Sequence, residues 1–326
     1  MQAHQLATGS FHEFVQVSDA ERDLIAELLA DKRSEATRRA YARDLDDFFR
    51  AVTRAAPTPE RVAEFLTLPG DVAIAAVTKY KAILIQRGLS EATVNRRLSA
   101  IRSLVRYAAS VGRCDWSLQA VRGEKVVPYR DTAGITPEQY AKVIAKPDMD
   151  TLKGKRDFAI LRLLWDNILR RGEISRCDVG DFDAGRSRLA VLRKGRGTQR
   201  QWVELSAKAV PAIETWLAAR RQRQDYTDSA PLFISVARNG TWGHRLTGSA
   251  LYAMVRGYAK AAGLPKIFSP HRARHSGATA VLDATGGDVL ALKELGDWAQ
   301  LDTAMIYNDN RENRQSDATA ALSELL

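Results

Sequence analysis

Between residues 34 and 110, apolar side chains return every three or four positions, the period of helices with one buried face. Ser34 heads a stretch whose Tyr41, Leu45 and Phe48 share one face, predicting a helix through about Val52. Thr58-Pro59 reads as an N-cap followed by Pro at the first helical position. Asp71 opens another helix, which Gly88 closes. Ser90 caps a fourth, SEATVNRRLSAIRSLVRYAASVG, with Val94, Leu98, Ile101 and Val105 as its stripe. Arg102 and Arg106 lie one turn apart, off that stripe. Residues 1–18 show no period and read as a flexible arm, leaving 19–118 as an all-helical domain.

The pattern then changes. Residues 119–135, QAVRGEKVVPYRDTAGI, lack a helical period and read as an extended linker. Thr136-Pro137 caps the first helix of a second domain, 136–326. There KRDFAILRLLWDNIL is a strongly apolar helix. RLAVLR (188–193) and QRQWVEL (199–205) are short β-rich runs joined by a glycine-containing turn, a predicted hairpin. LFIS (232–235) is a candidate third strand. Further helices are headed by Ser206, Thr247 and Pro270, and short ones follow to the C-terminus. The fold class is therefore mainly α with a small β-sheet, in two domains.

Composition narrows the class. The chain is 45% hydrophobic and 27% charged, ordinary for globular protein. Two cysteines, Cys114 and Cys177, exclude a disulfide framework and suit a reducing compartment. No apolar run approaches the ~18 residues of a membrane span. The start, MQAHQLATGSFHEF, lacks a basic n-region and an apolar h-region, so a cytoplasmic protein is expected. The net charge of +10 is patterned: residues 1–78 carry 9 basic and 13 acidic residues, whereas 79–130 carry 11 and 3. A basic block of this kind suits a polyanionic partner.

Five elements carry candidate chemistry: Arg170-Arg171-Gly172-Glu173 at the end of the apolar helix, Lys194 at the hairpin tip, His271-Arg272-Ala273-Arg274-His275 after Pro270, Trp298, and Tyr307. Each alone has a bland reading. Arg170 with Glu173 reads as a surface ion pair. Lys194 reads as a solvated turn residue, and the histidines as a helix-end cluster. Trp298 and Tyr307 read as core aromatics.

Together and in this order they resemble the active site of the tyrosine recombinase (phage integrase) family, of Cre and Xer type. That family carries R-x-x-E, a hairpin Lys, H-x-x-R, His or Trp, and a Tyr nine residues on, as Trp298 and Tyr307 stand here. SEATRRAYARDLDDFF and LSEATVNRRLSAIRSLVRYA are similar to its helical core-binding domain. There are departures. R-K-G-R-G stands for G-K-G, Ala273 for Leu, and ELGDWAQ carries one extra residue, with Trp in place of the common His.

The resemblance implies a SAM-like core-binding domain and a mixed α/β catalytic domain, forming a C-shaped clamp on DNA. It implies that Arg170 and Arg274 hold the scissile phosphate, that Glu173 buttresses Arg170, and that Tyr307 is the nucleophile. His271 is then the general base, Lys194 the general acid and Trp298 the packing partner of Tyr307, with His275 in support. Arg96, Arg97, Arg102, Arg106, Lys125 and Arg196 are expected to contact DNA. No cofactor and no metal are implied. The expected partner is double-stranded DNA with an inverted-repeat core site, bound by a homotetramer joined through a C-terminal helix carrying Leu322, Leu325 and Leu326. The second, less favoured reading of that tail is an intramolecular packing helix. Accessory proteins stay open.

The expected function is site-specific recombination through a 3′-phosphotyrosine intermediate and a Holliday junction, in integration and excision or in resolution of a mobile element or replicon. Two other readings stand beside it: relaxation by a type IB topoisomerase-like enzyme, and a non-catalytic DNA-binding accessory protein on the same fold.

Overall fold

Most helix starts among the described residues fall where the sequence supplies a capping oxygen. The computed structural model describes residues 23–126, 134–193, 197–237, 240–264, 268–298, 300–308, 319–320 and 322–325. The predicted arm, residues 127–133 of the predicted linker, Lys194, Arg196 and Leu326 lie outside the described residues. The chain divides into two units, Met1–Tyr129 and Arg130–Leu326.

In the first unit the described residues form α1 (Leu24–Ala30), α2 (Glu35–Thr53), α3 (Pro59–Thr67), α4 (Gly70–Gln86) and α5 (Glu91–Ser110). The side chains of Asp23, Ser34 and Thr58 accept from the first-turn N–H groups of α1, α2 and α3. α4 starts one residue earlier than its sequence suggests, behind Pro69 and without a side-chain cap. Ser90 holds the N-cap place of α5, but its hydroxyl pairs with Thr93 Oγ1 at 3.0 Å rather than with backbone. The whole α5 stripe is buried, each large apolar side chain contributing about 1.5–3 kcal/mol. It meets a knot of edge-on rings in which Phe48 lies 5.1 Å from both Phe65 and Tyr80.

The predicted linker begins too early. Leu118 and Val121 are buried in this core. Asn95 accepts from the Glu124 N–H at 2.7 Å and donates to its carbonyl at 2.8 Å. Residues 119–124 are thus docked on the first unit by a side-chain amide, which hydrophobic periodicity does not register.

The second unit contains α6 (Pro137–Ile144), α7 (Leu152–Asp166), α8 (Arg171–Ser175), β1 (Phe182–Asp183), β2 (Arg188–Leu192), β3 (Arg200–Glu204) and α9 (Ala209–Arg221). α10 (Gly248–Ala261), α11 (Pro270–Ala284), α12 (Val289–Gly296) and α13 (Leu301–Asn308) follow. Residues 319–320 and 322–324 of the tail are helical, with Leu322 and Leu325 exposed. The sheet is antiparallel in the order β1-β2-β3, with Leu189 opposite Val203 and Leu192 opposite Arg200. The predicted hairpin is present. The third strand is the two-residue β1 and not LFIS. Ile234 makes only an isolated antiparallel bridge with Arg245, and on the other edge the Leu232 and Ile234 carbonyls accept from Trp216 Nε1 and Arg156 Nη1, both at 2.8 Å, so side chains stand where a second strand would pair.

Two cores fill this unit. The larger joins α7, α9, α10 and the sheet. The smaller contains Ile168, Leu282, Leu292, Trp298 and Tyr307 and lies beneath α12 and α13.

Candidate active site

The apolar helix α7 does not run into the R-x-x-E motif, as the sequence suggests. It stops at Asp166, and Ile168 takes a left-handed backbone with φ of 43°. A β-branched residue rarely accepts that conformation, and here it turns the chain so that Arg170 becomes the N-cap residue of the separate helix α8. Glu173, only 1% exposed, accepts from the Arg170 backbone N–H at 2.9 Å and from Arg170 Nη1 at 2.8 Å. Arg193 Nη1 reaches the same carboxylate at 3.3 Å.

Arg274 comes from the first turns of α11, which Pro270 opens and Ser269 Oγ caps. Its guanidinium is almost wholly buried. Nη1 donates to the Ile168 carbonyl and Nη2 to the Gly296 carbonyl, the latter at 2.9 Å. The plane lies 4.7 Å from the Trp298 ring. Burial, then the neighbouring Arg170 charge, lowers its pKa to about 10, so it stays cationic at neutral pH.

A cavity of 370 Å³ opens between these groups, lined by Arg170, Arg171, Tyr252, Ser269, His271 and Arg274. His271 faces His275 with their Nε2 atoms 2.9 Å apart. Burial, then Arg274 and Arg170, lowers the pKa of His271. Burial, then His271, brings that of His275 down to about 4. Both imidazoles are therefore neutral at physiological pH, and one can accept a proton.

Asp297 leaves α12 with a φ of 46° and swings Trp298 back against Gly296. Trp298 stacks on Tyr307 at 5.1 Å and 27°. The second histidine also touches this ring, His275 lying 4.8 Å from Tyr307. Burial raises the pKa of Tyr307, while the charges of Arg274 and Arg170 oppose that rise. A buried phenol beside two guanidiniums is poised to lose its proton only where cations offset the new charge.

The expected set is thus assembled from four separate stretches, Lys194 and Arg196 being outside the described residues. The expected DNA contacts of the first unit divide. Arg96 pairs with Asp44, and Arg97 with Asp47, a carboxylate that also accepts from Tyr80 Oη at 2.7 Å. These two arginines fasten α5 to α2. Arg102 donates to the Val121 carbonyl, whereas Arg106 and Lys125 are exposed. The sequence reading missed Arg193, Ile168 and Asp297. Arg193 and Asp297 both stood at departures from the family pattern, where the signal lay unused.

The phage integrase family profile matches residues 134–314, and the phage integrase N-terminal SAM-like domain matches residues 23–112. The chain belongs to the phage integrase family, the tyrosine recombinases. A tyrosine recombinase of Synechocystis sp. is 44% identical over 310 residues, covering 95% of this chain and 97% of the relative. Another, of Synechococcus elongatus, is 45% identical over 304 residues, covering 93% and 94%. Among solved structures, the Tn1549 transposon integrase in complex with transposon right end DNA matches with a TM-score of 0.60 at 17% identity, over 92% of this chain and 99% of that one. The XerH recombinase bound to its difH substrate gives 0.58 at 21% identity, over 87% and 79%. These two share the fold. No helix among the described residues is long and apolar enough to cross a membrane.

Proposed function

We propose that this enzyme is a site-specific recombinase that cuts and rejoins DNA through a 3′-phosphotyrosine intermediate and a Holliday junction, serving a mobile element or a replicon. The observation that carries the reading is the Tyr307 ring stacked on Trp298, whose indole also packs against Arg274, beside the cavity that Arg274 shares with Arg170 and His271. In the reaction, Tyr307 Oη attacks the scissile phosphorus, the P–O5′ bond breaks, and a 3′-phosphotyrosine bond forms. Arg170 and Arg274 neutralise the charge that grows on the non-bridging oxygens. His271, kept neutral, takes the phenolic proton, and Lys194 protonates the departing 5′-oxygen. The new phosphodiester keeps the bond energy, so religation by a 5′-hydroxyl runs the same steps backward without ATP.

The DNA-bound state of the structural neighbours supports a duplex partner. Exposed Arg106 and Lys125 suit its backbone. The exposed Leu322 and Leu325, with Leu326, suit a tail helix that docks on a neighbouring copy and closes a tetramer.

The test is covalent trapping on a nicked duplex from the DNA flanking the gene, in EDTA and without ATP. Wild-type protein should give a protease-sensitive, slow-migrating DNA species, and Tyr307→Phe should bind equally well and give none. An adduct with Tyr307→Phe, or none with wild type on a duplex that it binds specifically, would remove the proposal.

A further inference from the structure

Arg193 ends the strand side of the hairpin, one residue past β2, with only 4% of its side chain exposed. A buried guanidinium is costly unless it is paired, so its partners are informative. Its Nη1 donates to Glu173 Oε2 at 3.3 Å, the oxygen that also accepts the Arg170 backbone N–H at 2.9 Å. The other oxygen of Glu173 holds Arg170 Nη1 at 2.8 Å. On its far side, Arg193 Nε lies 3.8 Å from the Asp297 carboxylate and has no hydrogen-bond acceptor of its own. Asp297 in turn stands between Gly296, whose carbonyl holds Arg274, and Trp298, which stacks on Tyr307. One guanidinium thus touches the supports of both arginines at the cavity.

We propose that Arg193 is a positioning residue for phosphate binding: it fixes the Glu173 carboxylate, and through it Arg170, relative to the Asp297 turn that anchors Arg274 and Trp298. This rests on the reading of Arg170 as a phosphate ligand. With Arg193 in place, both Glu173 oxygens are spoken for and the carboxylate cannot rotate. Without it, Oε2 keeps only the Arg170 backbone N–H, the carboxylate loses its outer brace, and the aim of Arg170 loosens. The strut holds no substrate itself, so it should act on the rate of the chemical step and not on the affinity for DNA.

The discriminating experiment compares an ordinary scissile phosphate with a methylphosphonate, in which a neutral methyl replaces one charged non-bridging oxygen. A residue that works through the phosphate-binding arginines matters less when that charge is gone; a residue that merely holds the fold matters equally on both. Arg193→Met should slow single-turnover cleavage of the phosphodiester about 30-fold. DNA affinity should stay within about two-fold of wild type, and the rate deficit should shrink below about three-fold on the methylphosphonate. Arg193→Lys, which keeps the charge but not the fork, should fall between, and it carries the comparison alone where Arg193→Met does not fold. Arg170→Ala is run alongside. Rescue of Arg170→Ala with equal deficits for the Arg193 variants on both substrates overturns the strut alone. No rescue of Arg170→Ala overturns the phosphate-clamp reading and the strut with it.

Discussion

The Nε2 atoms of His271 and His275 lie 2.9 Å apart, so one N–H serves both rings and only one of the two can donate. When His271 accepts, His275 is the donor and its buried Nδ1 is a bare acceptor, in keeping with that atom's lack of a partner. Arg274 and Arg272 add positive charge beside the pair, and Tyr307 packs against it as a neutral phenol. Charging either ring sets a cation against arginines.

This pair should make the second unit acid-sensitive. Both folded-state values lie below the ordinary 6.5, that of His275 at about 4. Between those limits the unfolded chain binds more protons than the folded one, so stability falls as pH drops through the window and is fully present above it. Urea midpoints followed from about pH 7.5 to about pH 4.5 should decline in wild type and decline less in His275→Gln. Parallel curves for the two proteins would show that the histidines are not the cause.

Gly296 is the close-approach point of the site. A Cβ there would stand 2.5 Å from Trp298 Cζ3 and 2.6 Å from Cε3. The indole cannot retreat without leaving its stack on Tyr307 and its face on Arg274. Gly296→Ala should therefore cost about 1–3 kcal/mol of stability. It should slow strand cleavage by about ten-fold or more while DNA binding persists. Single-turnover cleavage with an equilibrium binding control reads both effects, and a wild-type rate would mean that the stack does not align the tyrosine.

The arginines of α5 should separate into two classes. Asp44 is 1% exposed, and its partner Arg96 is partly open to solvent. Arg96→Ala should therefore destabilise the first unit by about 2 kcal/mol by leaving a buried carboxylate unpaired. Arg106→Ala should change stability by no more than about 0.5 kcal/mol. It should instead lower the slope of log binding constant against log salt by about 0.9. Thermal unfolding and a salt titration of DNA binding test the pair. The opposite assignment would follow if Arg96→Ala flattened the salt slope and left the midpoint unchanged.

Much of this was legible in the chain because helices announce themselves through period and caps: Ser34, Thr58, Thr136 and Thr247 all cap where expected. The site was legible as an ordered set of residue types, since arginine, histidine and tyrosine at fixed spacing have few shared uses. What stayed hidden depends on tertiary partners. LFIS is apolar like a strand, but only the fold reveals that Arg156 and Trp216 claim its carbonyls. Arg96 and Arg97 look like free cations until Asp44 and Asp47, about fifty residues away in the chain, arrive beside them. Ile168 carries no sign of its left-handed backbone, because isoleucine is among the residues least suited to it.

The division of the second unit into a large and a small core gives its parts different lifetimes. α7 and α9 share the large cluster, and their amides should open only with the whole unit. Tyr307 sits on the small cluster with Trp298, Leu282 and Leu292. Fewer buried apolar groups hold that segment, so its free energy of local opening is lower than the global one. Hydrogen exchange should reach α12 and α13 before the body of the unit. Tyr307, the proposed nucleophile, can then be withdrawn and returned with α12 and α13, while Arg170 stays on α8 and Arg274 gives up its Gly296 support each time the segment opens.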